Sequence, residues 1–114
     1  MSKKNVSRSS IPIRNGKTDM LVKIINDSTG NETRKLQMYA YDKDSEQKES
    51  LPIYLNDTRT HAATLKPGGE QIYRIDVSGV KKKVVFEAIQ MKGGSGLSVK
   101  SKNKGTINAE IRIK

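Results

Sequence analysis

From Met20 onward the chain alternates apolar and polar residues with a period near two, and clusters of turn-forming residues interrupt the pattern at short intervals. Successive side chains of a strand point to opposite faces, so the alternation puts one face of each strand into a core and the other into water. No segment keeps helical spacing for three turns. The clearest case is the last: Ile107, Ala109, Ile111 and Ile113 alternate with Asn108, Glu110, Arg112 and Lys114. Residues 34–42 set Leu36, Met38 and Ala40 against Lys35, Gln37, Tyr39 and Tyr41. Residues 70–77 turn Tyr73, Ile75 and Val77 inward, and residues 82–91 do the same with Val84, Phe86 and Ala88. Residues 20–26 are almost continuously apolar, which predicts a central strand or one covered on both sides. Residues 51–56 form a strand that Pro52 confines to an edge or a strand start, residues 59–65 a weaker one, and Leu97 with Val99 a short one. Lys66-Pro67-Gly68-Gly69 is a turn, with Pro presetting φ and Gly supplying the positive φ that follows. Gly93-Gly94-Ser95-Gly96 is a loop. The predicted fold is all-β: an antiparallel β-sandwich of about eight strands, jelly-roll or Greek-key like, with strand order left open. An extended N-terminal arm over residues 1–19 precedes a sandwich domain over residues 20–114.

With 114 residues the chain has the length of one domain. Hydrophobic residues make up 33% and aromatics 4%, so its core is thin and aliphatic, and burial against neighbouring subunits is useful to it. The chain has no cysteine, which excludes disulfides and thiolate metal sites. No apolar run approaches the roughly 18 residues of a membrane span, and the opening residues carry no apolar signal-peptide core. The expectation is synthesis in the cytosol without a signal peptide, with no membrane partner.

The net charge of +10 is spread unevenly. Residues 1–17 hold five basic side chains and no acid; residues 18–80 are slightly acidic; residues 81–114 hold nine basic side chains against Glu87 and Glu110. Lys81, Lys82, Lys83, Lys100, Lys102 and Lys104 form a basic patch in sequence, the feature that polyanion binding needs. Single-strand binders also stack bases on exposed aromatics. Tyr39, Tyr41 and Tyr54 lie far from the lysines in sequence, so nucleic acid ranks behind other partners.

Catalytic patterns are absent or incomplete. His61 is the lone histidine, between Thr60 and Ala62, without a ligand or triad partner at any telling spacing. Asp42, Asp44 and Glu46 have the first three spacings of a calcium loop, but Gln47 and Ile53 stand where that loop needs Gly and Glu. They read as an acidic hairpin loop. The glycines at 93–96 lack the Gly-Lys-Ser/Thr ending of a phosphate loop. Asn5, Asn26, Asn31 and Asn56 each begin a glycosylation triplet that serves equally as turn chemistry. The expectation is a protein that is not an enzyme and has no catalytic residue, cofactor or metal site.

The arm is the most informative segment. Val6, Ile11, Pro12 and Ile13 are its apolar and rigid anchors, set among Ser, Asn and basic residues. Docked on an open sheet edge, such a segment adds a strand: main-chain hydrogen bonds supply affinity and alternate side chains supply register. A first strand of the sandwich itself, with a frayed end, is the equal alternative. The arm, the apolar strand near Met20, the Pro-Gly-Gly turn into Gln71-Ile72-Tyr73-Arg74-Ile75 and the final Gly105-to-Ile111 strand resemble the small jelly-roll subunits of endospore appendage fibres of bacilli. The resemblance spans the chain as architecture. It implies a subunit that polymerises head to tail with itself through an N-terminal connector inserted into the next subunit, ending on the spore surface or in an extracellular fibre after release. Other spore-surface or fibre-anchoring proteins are then further partners. The best-known fibres of that family are cross-linked through connector cysteines, and this chain has none, so its type would be held by strand addition and apolar anchors.

Overall fold

The computed structural model describes residues 5–13, 17–27, 33–46, 49–90, 97–101 and 107–113, with backbone alone for Asn5 and for 97–101. Among these residues there are ten strands and no helix. They are β1 (Asn5–Pro12), β2 (Asp19–Asn26), β3 (Arg34–Asp42), β4 (Ile53–Leu55), β5 (Thr58–Arg59), β6 (Ala62–Leu65), β7 (Glu70–Asp76), β8 (Lys83–Gln90), β9 (Leu97–Ser101) and β10 (Ala109–Ile113). One sheet has the order β1-β8-β3-β6 and the other β5-β4-β7-β2-β10-β9. From β1 to β8 the chain changes sheet at every connection except the β4–β5 hairpin. The resulting pair of orders, 1-8-3-6 and 5-4-7-2, is that of an eight-stranded jelly roll. β9 and β10 widen the second sheet beyond β2.

The alternation dictates the core. Leu36, Met38 and Ala40 of β3 and Val84, Phe86 and Ala88 of β8 are buried from one sheet; Met20, Val22 and Ile24 of β2 and Ala109, Ile111 and Ile113 of β10 are buried from the other. Each fully buried isoleucine or leucine contributes about 1.5–3 kcal/mol relative to exposure. β2 is central, between β7 and β10, as its almost continuous apolar run predicts. Its second-face residues Leu21, Lys23 and Ile25 are half-buried.

Asn26 closes the β6–β7 turn. It is fully buried, and its Nδ2 donates to the Leu65 carbonyl at 3.0 Å. Its backbone N–H donates to the Gly69 carbonyl and its own carbonyl accepts from the Gly68 N–H. Gly68 has φ of 75°, and a Cβ on Gly69 would lie 2.9 Å from the Lys66 carbonyl oxygen, so this turn needs both glycines.

Several expectations are corrected. The boundary at residue 19/20 falls inside the jelly roll, because residues 5–12 form its first strand and pair with β8 from Asn5↔Gln90 to Pro12↔Lys83. An unpaired β8 edge would leave a row of main-chain donors and acceptors open, and β1 closes it. The pairing is antiparallel throughout except β2 with β10, which run parallel. The strand predicted over 51–56 shortens to β4, with Pro52 just ahead of it accepting from the Asp76 N–H at 3.0 Å. The weak strand over 59–65 splits into β5 and β6, since Asn56 and Asp57 adopt positive φ and fold β4 onto β5 in a two-residue turn. The Gly93–Gly96 loop lies outside the described residues.

Candidate functional site: the N-terminal edge strand

β1 is an edge strand, paired on one side only. Its inward positions are Ser7, Ser9 and Ile11, and of these Ile11 alone is fully buried. Val6 lies on the opposite face from Ile11 and is 50% exposed, beside Ile89 in the register. Pro12 is exposed, while Ile13 packs partly against the core and its N–H extends the ladder to the Lys82 carbonyl at 2.9 Å. The four predicted anchors thus divide: Ile11 and Ile13 hold the strand, and Val6 and Pro12 do not. Attachment is mainly main-chain.

Across the ladder Arg8 Nε donates to Glu87 Oε2 at 2.6 Å. The carboxylate raises the Arg8 pKa, through the hydrogen bond first and the charge second. The guanidinium is largely in solvent, so the pair sets register more than stability. At the start of β1, the Gln90 side chain is buried and its Nε2 and Oε1 have no hydrogen-bond partner among the described residues. A buried amide left in that state costs about 1–3 kcal/mol.

The basic residues gather at the other end of β1. Lys81, Lys82 and Lys83 are exposed, and no ion pair of theirs occurs among the described residues. The Lys43 N–H donates to the Lys83 carbonyl at 3.1 Å, so Lys43, also exposed, joins them from the β3–β4 connection. Lys100 is on β9 opposite Glu110, in the other sheet from Lys83, and Lys102 and Lys104 lie outside the described residues. Nearby acids cap turns. Asp42 Oδ1 accepts from the Asp44 N–H, and Asp76 Oδ1 accepts from the Ser78 N–H at 3.1 Å. Hydrogen bonds from Ser78 hold the Asp76 carboxyl below the usual carboxylate range. Among the described residues no group of three His, Asp or Glu is placed to hold a metal ion.

No family model, curated protein or solved structure matches the chain. Function is therefore read from the chain's own geometry. Three parts of that geometry escape a linear reading. Ser7 and Ser9 carry no apolar period to mark β1. Lys43 is forty residues from Lys83. A cleft beside β3 draws Tyr39, then Leu51, then Arg59 with His61, from three segments. His61 is exposed at that cleft, and its carbonyl accepts from the Met38 N–H at 2.7 Å.

Proposed function

We propose that this chain is a non-catalytic structural subunit that joins copies of itself by exchanging β1, so that the N-terminal strand of one copy completes the β1 position of the next. The observation that carries this reading is the form of β1: a terminal edge strand, one fully buried side chain, and a ladder to β8 that is mainly main-chain. The same ladder forms whether β1 comes from the same copy or another, so exchange loses no pairing. Residues 13–18, between β1 and β2, can reach about 20 Å when extended. Passing each strand to the next copy is a heterologous contact, and such contacts build rings or open fibres. A spore-surface or extracellular fibre is the assembly this suits, with the chain itself as principal partner.

The test is assembly of the full-length protein, followed by light scattering and electron microscopy across a concentration series. The expected result is growth with concentration, shortening of the assemblies by excess synthetic peptide of residues 1–13, and loss of growth when residues 1–12 are deleted. Assemblies that ignore both the peptide and the deletion contradict the reading.

A second reading has its own observation. Lys43 lies beside Lys81–Lys83 in one exposed cluster, which suits a polyanion such as nucleic acid. That reading predicts retention on heparin or oligonucleotide at about 150 mM salt, weakening steeply as salt rises. Elution at low salt, unchanged by Lys82→Gln with Lys83→Gln, contradicts it.

A further inference from the structure

A cleft opens where β6 stops covering β3. β6 pairs with β3 only from Arg34 to Gln37. Beyond that point the β3 edge is met by the His61 carbonyl, which accepts from Met38, and by the Leu51 N–H, which donates to Ala40 at 2.6 Å. Thr60 N–H in turn donates to the Ile53 carbonyl at 2.8 Å. These three main-chain bonds frame a cavity of about 330 Å³ around the Tyr39 ring. Tyr39, Ile53 and Arg59 come from strands, and these bonds pin the connections that bring Leu51, Thr60 and His61.

Its chemistry is asymmetric. Ile53, buried, and Leu51, half-buried, give an apolar floor, and the half-buried Tyr39 ring gives a wall. Arg59 and His61 stand exposed at the rim with the Ser50 hydroxyl. The Thr60 hydroxyl is already engaged, donating to the Ala62 carbonyl at 3.0 Å and accepting from its N–H. Among the described residues no carboxylate lines the cleft and Arg59 makes no ion pair. A volume near the lower end of ligand pockets admits one ring.

We propose that this cleft binds a small carboxylate carried on a ring, with the carboxylate at Arg59 and the ring laid on Tyr39 over Leu51 and Ile53. The site is on the flank of the four-stranded sheet away from β1. It does not depend on strand exchange, and a fibre joined through β1 would present it on every subunit.

The experiment is a ¹H–¹⁵N NMR titration of the full chain with sodium glucuronate, glucose and sodium benzoate at constant ionic strength. Glucuronate is expected to shift the amides of Ser50, Leu51, Arg59, Thr60 and His61, and glucose to shift them far less. Arg59→Gln is expected to weaken glucuronate about tenfold, the loss of one charge-assisted hydrogen bond. Tyr39→Leu is expected to weaken it while leaving the dispersed spectrum of a folded sandwich. Benzoate matching glucuronate upholds the ring-carboxylate class and makes its ring aromatic instead of a sugar. Absence of shifts at these amides with both carboxylates overturns the proposal, as does a response to glucuronate equal to that of glucose and unchanged in Arg59→Gln.

Discussion

The strands nearest the two chain ends, β1 and β10, do the same job for their sheets in opposite ways. β10 lies between β2 and β9 and buries Ala109, Ile111 and Ile113 completely. β1 has one hydrogen-bonded neighbour in its sheet and lies against β9 of the other, and its inward face offers Ser7, Ser9 and Ile11. Main-chain hydrogen bonding is common to both, so side-chain burial is what separates a strand locked into its sheet from one that can leave. Removing β10 would open the core. Removing β1 would uncover a ladder and withdraw one isoleucine.

Truncation should expose that difference most strongly. Ile111→Ala is expected to cost about 2–5 kcal/mol by urea unfolding, as for other large-to-small core changes, and Ile11→Ala about 2 kcal/mol, because an edge site collapses more readily. Equal losses would remove the contrast between the strands. Gln90→Leu should move the other way, stabilising by about 1 kcal/mol as a buried amide without partners is replaced by an apolar side chain. A loss on that substitution would mean that the start of β1 is better satisfied than the geometry indicates.

Alkaline pH probes the β10 side of the core. Tyr73 lies in register with Val22, which is paired with Ala109, and its hydroxyl donates to Gln71 Oε1. Burial raises its pKa, since the ionised form would be desolvated. The folded state therefore keeps a proton that the unfolded state releases above about pH 10. Stability should be full below that pH and fall as pH rises through the folded-state pKa, and Tyr73→Phe should flatten the decline. The smallest effects belong to β1's polar positions: Ser9→Ala is expected to stay within about 0.5 kcal/mol of the parent.

The contrast also explains what could be read from sequence. β3, β7 and β8 announce themselves because strict alternation is the imprint of a strand with one buried face, and their inward residues are the core; β10 alternates as clearly in sequence, but Glu110 on its second face is buried too, beside Arg112. β2 declares its central place by an apolar run that only Lys23 interrupts. β1 leaves no such mark, since Ser7 and Ser9 carry no apolar period, and residues 1–19 therefore read as an arm. The β4–β6 region was half legible: Pro52 and the Asn56-Asp57 pair are turn chemistry, but strands of two to four residues are too short to show a period. The parallel partnership of β2 and β10 and the convergence of Lys43 on Lys81–Lys83 are long-range. Both are set by the winding of the roll, which neighbouring residues do not record.

The most direct measurement uses the absence of native cysteine. Ser10 and Val85 face each other across the β1–β8 ladder. The main-chain bond from Ile13 to Lys82 makes theirs a non-hydrogen-bonded pair, with Cα atoms close enough for a disulfide. The doubly substituted chain, Ser10→Cys with Val85→Cys, would be oxidised after assembly and run on a denaturing gel without reductant. Exchange of β1 between copies predicts a ladder of covalent multiples. A single band of internally bridged monomer, from material that is assembled, would contradict it.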